Sequence, residues 1–168
     1  NNPRILAEIQ QAGFGADCVS GNEVIIALES GFSNDHIVLA GVGKTDKEIN
    51  LAIKEQIFSL NVESFEELTV INGLAAQQGR VAQIAIRLNP EVDAGTHHYI
   101  TTGRKENKFG LSYQELLLML DQIQAMEHIR FIGLHFHIGS QIVDLNRFIH
   151  LCERINEMQM ALKDKGIA

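Results

Sequence analysis

The sequence has few cysteines, no long apolar run and little positive charge, and each shortage excludes a class of protein. Its 168 residues include two cysteines, Cys18 and Cys152, which lie far apart and form no CxxC pair. They are predicted to be buried thiols of a reducing, cytoplasmic compartment. No apolar run is long enough to span a bilayer. The net charge of −7 disfavours nucleic acid and anionic membranes as partners.

The remaining composition is that of an ordinary soluble globular chain. Hydrophobic residues make up 45% and charged residues 21%, and the length is sufficient for one domain with a real core. The chain begins at Asn1-Asn2-Pro3 without a methionine or a visible signal peptide. We therefore expect it to be a piece of a longer polypeptide.

Helical and strand patterns alternate along the whole chain. Helices are predicted over 3–12, 21–30, 46–54, 64–78, 112–126 and 144–165, and strands over 16–20, 36–41, 57–62, 83–89 and the first part of 130–141. This alternation predicts βαβ units and a parallel sheet. Strands with one apolar and one polar face favour a (β/α) barrel. Because five strands cannot close an eight-stranded barrel, the fold is either an open doubly wound sheet or a barrel whose remaining strands are missing.

The stretch 130–141 carries the most chemistry. It is predicted to be a buried strand that ends in a polar, glycine-containing turn. Side chains alternate along a strand, so His135 and His137 share one face near its C-terminal end, where α/β folds place their chemistry. Gly139 and Ser140 then offer backbone N–H groups and a hydroxyl that suit an anion. The apolar face consists of Leu134, Phe136 and Ile138.

Three roles are open for the two histidines on residue evidence alone. They could be interior residues that are simply hydrogen-bonded, or they could contact a cofactor. They could also bind zinc, for which a third ligand would come from His97, His98 or an acidic group. Nothing in the spacing alone selects one of these roles.

Charged side chains on other strands need an explanation of the same kind. Arg87 and Asn89 are predicted to face inward, and a charge inside a barrel needs a partner or a ligand. The simplest alternative is a salt bridge from Arg87 to Asp17 or Asp93. Lys108, at the end of a long polar loop, could be an ordinary surface lysine.

Gly41-Val42-Gly43-Lys44-Thr45 follows a strand and precedes a helix, as a P-loop does. The full pattern requires glycine where Val38 stands. We therefore reject nucleotide binding and assign a turn followed by a helix cap, with Thr45 and Glu48 as a capping box. Glu23 is assigned in the same way to the first turn of a helix.

Several ordered motifs resemble one enzyme family. His135-Phe136-His137-Ile138-Gly139-Ser140-Gln141 resembles the equivalent segment of the pyridoxal-phosphate (PLP) decarboxylases with the alanine-racemase-like fold. Residues 15–23, 40–45, 61–64 and 87–90 resemble the motifs of four earlier strands. The stretch 93–103, continued through 108–110, resembles the diaminopimelate decarboxylase branch. The ornithine and arginine enzymes share its Lys-Phe-Gly but not its loop.

The resemblance implies a fold and a cofactor site. The fold is an α/β, partial TIM (β/α)8 barrel with a parallel sheet, in which 1–168 is a single partial PLP-binding domain holding strands two to six. The first strand, the last two strands and a β-rich C-terminal domain are expected outside the chain. By the same resemblance His137 stacks on the PLP ring, Ser140 contacts the phosphate, Arg87 and Asp17 line the pocket, and Lys108 points into it. No metal ligand is implied.

The resemblance also implies an activity. The parent protein is expected to decarboxylate meso-2,6-diaminopimelate to L-lysine with PLP. Its small-molecule partner is expected to be an amino acid, and the protein itself is expected to be a homodimer. The family's Schiff-base lysine is expected upstream of Asn1, so no catalytic residue is assigned within the chain and the 168 residues alone are expected to be inactive. Two alternatives remain open: a PLP decarboxylase of another basic amino acid, and a non-catalytic PLP-binding barrel protein.

Overall fold

The secondary structure follows the predicted alternation of helices and strands. A computed structural model describes residues 2–90 and 109–166. Asp93, His97, His98 and Lys108 lie outside the described residues. The helices are α1 (Pro3–Gln11), α2 (Gly21–Glu29), α3 (Asp46–Glu55), α4 (Phe65–Gln77), α5 (Tyr113–Ile123) and α6 (Asn146–Asp164). The strands are β1 (Ala16–Cys18), β2 (Ile37–Leu39), β3 (Ser59–Val62), β4 (Ala82–Leu88) and β5 (Ile129–Phe136), and a 3₁₀ turn covers Asn34–His36.

The described strands form one parallel sheet in the order β1-β2-β3-β4-β5. Strand order therefore equals chain order, without the reversal that defines a doubly wound sheet. Successive parallel strands joined by helices are the repeating unit of a (β/α) barrel. The predicted α/β class, parallel sheet and partial barrel are confirmed.

The two faces of the sheet have different chemistry. On the face that packs against the helices, cross-strand neighbours are apolar and buried, and the row Cys18, Leu39, Leu60 and Ile84 is typical. The opposite face carries polar groups, among them Asp17, Ser59, Asn61 and Arg87. A register shift between Ile84 and Ala85 keeps the end of β4 aligned with β5. The inner face of the barrel wall is consequently the polar one.

Four helices begin with the same type of N-cap. A Ser or Thr N-cap accepts a hydrogen bond from the backbone N–H of a glutamate three residues later. The pairs are Ser20–Glu23, Thr45–Glu48, Ser64–Glu67 and Ser112–Glu115. These caps fix where each helix leaves the carboxyl edge of the sheet. They confirm the assignments made for Glu23 and Thr45.

Three local predictions were wrong. Alternation over 57–62 places Phe58 on the same face as the buried Leu60 and Val62, but Phe58 precedes the strand and is 47% exposed. The continuous apolar run over 36–41 predicts a strand that is buried on both faces, but Val38 lies on the inner face and is only partly covered. Cys152 was expected to be a buried thiol, but it is exposed, because α6 buries only Met158 and Leu162 in its second half.

Cys18, the other cysteine, is buried as predicted. Burial raises the pKa of its thiol to about 11, and the charges of Glu23 and Asp17 act in the same direction. The thiol therefore stays protonated at neutral pH and is a poor nucleophile.

Among the described strands, β5 pairs on one side only, with β4. An apolar groove of about 540 Å³ lies between β5 and α6, and its lining includes Phe131, Leu134, Phe136, Ile155 and Leu162. Within residues 2–90 and 109–166, no helix combines the length and the apolarity needed to cross a membrane.

Candidate functional site

An ion pair between Arg87 and Glu63 forms the centre of the polar inner face. Asn61 pairs with Ala85 in the sheet register, so Glu63, two residues later and just beyond β3, lies beside Arg87 near the end of β4. The Nη1 group of Arg87 donates to both carboxylate oxygens of Glu63, at 2.7 and 3.0 Å. The two side chains are only 13% and 6% exposed. Arg87 thus has the buried partner that its inward position requires.

Residues 109–111 contact the Arg87 side of this pair. The guanidinium carbon of Arg87 lies 5.7 Å from the centroid of the Phe109 ring, within cation–π range. Leu111 donates its N–H to the carbonyl of Arg87 at 2.8 Å and accepts from the N–H of Asn89 at 2.8 Å. Gly110 adopts a φ of +91°, and a Cβ there would lie 2.8 Å from the carbonyl oxygen of Arg87. Only glycine fits this approach without strain.

A second buried network lies next to the first. The ammonium of Lys44 donates to the carbonyls of Gly41 and Asn61 and to the carboxylate of Glu67, at 2.8, 2.6 and 2.8 Å. The other oxygen of Glu67 accepts from the backbone N–H of Glu63 at 2.7 Å. Lys44 is therefore fully used in joining the turn after β2 to β3 and α4, which agrees with the rejection of a phosphate-binding P-loop.

His135 lies directly opposite Arg87 in the register of β4 and β5. Burial is the main cause that lowers the pKa of its imidazole, and the positive charge of Arg87 acts in the same direction. The carboxylates of Asp17 and Glu63 oppose this shift but do not overcome it. Within the described residues, the buried Nδ1 of His135 has no hydrogen-bond partner. His135 is therefore an uncharged imidazole at neutral pH.

The predicted site residues separate into two positions. Asp17 and Arg87 lie on the inner face of the sheet, and the charges of both reach His135. His137 and Ser140 follow the end of β5, and both are exposed. Gly139, between them, has a φ of +129°, which favours glycine. Lys108 lies outside the described residues.

Glu63 is the site residue that the sequence reasoning missed. The sequence suggests Asp17 or Asp93 as the salt-bridge partner of Arg87, whereas the structure pairs Arg87 with Glu63. The sequence signal for this contact was weak. Strand alternation places Glu63 on the same face as Asn61, two residues earlier, and β3 is the strand that comes before β4 in the chain. Only the register between β3 and β4 turns that spacing into a contact.

No group of three or more His, Cys, Asp and Glu side chains in the described ranges is arranged to hold a metal ion. What these residues offer instead is an exposed imidazole, an exposed hydroxyl in a glycine turn, and a guanidinium held by a carboxylate. Such a set can bind a flat, polar, anionic molecule at the carboxyl edge of the strands.

Comparison with known proteins identifies the family. Residues 1–168 match the family described as pyridoxal-dependent decarboxylase, pyridoxal binding domain. The chain is 53% identical over 166 residues to the diaminopimelate decarboxylase of Bacteroides thetaiotaomicron, covering 99% of this chain and 43% of that protein. It is 41% identical over 165 residues to the Aquifex aeolicus diaminopimelate decarboxylase, covering 98% and 39%.

The fold agrees with these relationships. The crystal structure of diaminopimelate decarboxylase from Helicobacter pylori complexed with L-lysine superposes with a TM-score of 0.92 at 43% identity, over 99% of this chain and 42% of that one. The chain thus spans about two fifths of the length of the relatives it matches. From the match over residues 1–168, the chain belongs to the pyridoxal-dependent decarboxylase family, as part or all of its pyridoxal-binding domain.

Proposed function

We propose that the protein carrying this chain decarboxylates meso-2,6-diaminopimelate to L-lysine with PLP as its cofactor. The observation that carries the proposal is the match of almost the whole chain, at 53% identity, to a relative named for that activity. The H. pylori homologue that shares the fold is complexed with L-lysine, the expected product. The substrate is assigned from these relationships.

The residues present fit PLP. The cofactor combines a phosphate with a flat, polar ring, so it needs hydrogen-bond donors, a surface on which to stack and polar neighbours. Ser140 offers a hydroxyl in a turn where Gly139 has positive φ, and His137, three residues earlier, offers an exposed imidazole. Arg87, on β4 next to β5, and Asp17, on β1, lie on the polar inner face of the same sheet. Donors, a flat ring and charged groups are therefore all available along this edge of the sheet.

Each predicted residue has one proposed task. His137 stacks against the ring, Ser140 donates to the phosphate, and Arg87 and Asp17 set the charge around the ring. Lys108 is proposed to complete the pocket, on the basis of the family resemblance alone. When bound, PLP supplies an electron sink for the charge left when CO₂ departs. The protein's contribution is to bind and orient the reactants and to keep water away from them.

Three further features belong to the same proposal. The residues form one partial barrel domain whose remaining strands and β-rich C-terminal domain lie in a longer polypeptide, an idea supported by the open apolar groove beside β5. We propose a homodimer from the family resemblance. We propose a cytoplasmic location because Cys18 and Cys152 are both free. An intact mass well above 18.7 kDa would support the longer polypeptide. Light scattering of the native protein tests the homodimer.

The activity is tested with the purified gene product that carries these residues. Release of CO₂ from meso-diaminopimelate with PLP, together with formation of L-lysine, is the expected result. Ornithine, arginine and lysine are assayed in parallel. Turnover of one of these in place of diaminopimelate would replace the proposed substrate with another basic amino acid. PLP binding without CO₂ release from any of them would favour a non-catalytic PLP-binding protein.

A further inference from the structure

We propose that Glu63 is a positioning residue of the cofactor site, which holds the Arg87 guanidinium in place at the carboxyl end of β4. This inference rests on the proposed function, because it takes Arg87 to be a cofactor-binding residue. Glu63 itself is not expected to touch the cofactor.

The contact geometry is the first step. Both oxygens of Glu63 accept from the same nitrogen, Nη1 of Arg87, at 2.7 and 3.0 Å. The Glu63 side chain is 6% exposed, so the contact is largely shielded from solvent. A flexible arginine side chain is thereby restricted on one side by a charge-assisted contact, while the Phe109 ring restricts it on another.

The second step is that Glu63 is itself held rigidly. Its backbone N–H donates to Oε2 of Glu67 at 2.7 Å. The other oxygen of Glu67 binds the Lys44 ammonium, whose side chain is 3% exposed. Lys44 in turn binds the carbonyls of Gly41 and Asn61. A chain of contacts therefore runs from the turn after β2, through the turn after β3, to the guanidinium on β4.

The third step concerns charge. Without Glu63, Arg87 would place an uncompensated positive charge on the inner face opposite His135. Asp17 is the other carboxylate whose charge reaches that imidazole among the described residues. Glu63 thus both fixes where the guanidinium points and balances it locally. An unpaired guanidinium would be expected to rearrange toward another acceptor.

The test measures PLP affinity in the complete gene product by titrating PLP into apo-protein and following its visible absorbance. Glu63→Gln is compared with Glu66→Gln, which removes the same charge from an exposed position in the first turn of α4. We expect Glu63→Gln to raise the PLP dissociation constant about ten-fold or more and Glu66→Gln to leave it within about two-fold. Equal affinities in the two variants would overturn the proposal.

A double-variant cycle separates positioning from general loss of structure. In an Arg87→Gln background, Glu63→Gln is expected to cause no further loss of PLP affinity. An equal additional loss there would mean that Glu63 does not act through Arg87. If Arg87→Gln alone leaves the affinity unchanged, the role of Arg87 and with it this inference fail, whereas the proposed activity stands or falls separately on CO₂ release by the unmodified protein.

A second variant keeps the test usable if Glu63→Gln does not fold. Glu63→Asp retains the charge but withdraws the carboxylate by one methylene, so it is expected to fold and to lose affinity by a smaller factor. Unchanged affinity in a folded Glu63→Asp variant would contradict a requirement for positioning.

Discussion

The carboxylate of Glu48 joins the N-termini of two consecutive helices. One oxygen accepts from the backbone N–H of Gly21, the first residue of α2, at 2.9 Å. The other accepts from the N–H and hydroxyl of Thr45, the N-cap of α3, at 3.0 and 2.7 Å. A single side chain thus completes a capping box and also satisfies an N–H of the neighbouring helix that has no partner within that helix.

This relationship predicts that Glu48 stabilises the fold in a pH-dependent manner. The hydrogen bonds from Thr45 and Gly21 hold the pKa of Glu48 below its ordinary value of 4.5. Its contribution is therefore complete above that value and is lost as the pH falls through the lower pKa of the folded state. Glu48→Gln should reduce the free energy of unfolding by about 1–3 kcal/mol at pH 7, measured by urea denaturation.

The same variant is followed into acid. The difference between Glu48→Gln and the unmodified protein should shrink as the pH is lowered below 4.5. Glu66→Gln, on an exposed side chain in the first turn of α4, is the control and should show a small difference throughout. If the difference in unfolding free energy between Glu48→Gln and the unmodified protein stays constant from neutral to acidic pH, ionisation of this carboxylate does not cause the stabilisation.

Two glycines should respond in opposite ways to the same substitution. Gly110 has a φ of +91° and no room for a Cβ beside the carbonyl of Arg87. Gly110→Ala should therefore destabilise the protein by about 1–3 kcal/mol. Gly73 lies inside α4, and a methyl group added to it would meet no described atom within 4 Å beyond its own helix. Gly73→Ala should stabilise the protein by about 0.5–1 kcal/mol. The melting temperatures of both variants test this prediction: Gly110→Ala should melt below the unmodified protein and Gly73→Ala above it. Equal shifts in melting temperature would contradict the different roles of the two glycines.

Lys44 should matter for stability rather than for phosphate binding. Its ammonium has three acceptors and is buried with Glu67, so Lys44→Met leaves a carboxylate buried without its cation. We expect a loss of about 3–5 kcal/mol in the free energy of unfolding. Lys47→Met, three residues later on an exposed site of α3, should change it by less than about 0.5 kcal/mol. Denaturant titration of both variants measures these free energies of unfolding. Equal losses for Lys44→Met and Lys47→Met would refute a stabilising role for Lys44.

The sequence was sufficient for the architecture because the relevant signals are local. Alternation in β4 and the Ser/Thr-x-x-Glu caps such as Thr45–Glu48 depend only on residues close in the chain. The partner of Arg87 was not accessible in the same way, because it depends on the register between β3 and β4. Alternation gives the face on which Glu63 lies but not which residue stands opposite it.

The burial of individual side chains was the least predictable property. Phe58 and Cys152 are apolar, and the patterns around them predicted the core, yet both are exposed. Phe58 precedes the paired part of β3, and Cys152 lies in the half of α6 that contributes no buried residue. Whether an apolar residue is covered depends on what packs against it, which a periodic pattern does not specify.

His137 provides a direct test of the proposed cofactor contact. If its exposed imidazole stacks on PLP, His137→Ala should weaken PLP binding by roughly three- to ten-fold, the equivalent of about 0.5–1.5 kcal/mol for an aromatic stack. His137→Phe keeps a flat ring and should retain most of the affinity. His150→Ala, on an exposed site of α6, should have no effect. Because His137 is exposed and follows the end of β5, none of these changes should lower the melting temperature of the apo-protein. Equal PLP affinities for His137→Ala and His150→Ala would therefore remove His137 from the site without any ambiguity about folding.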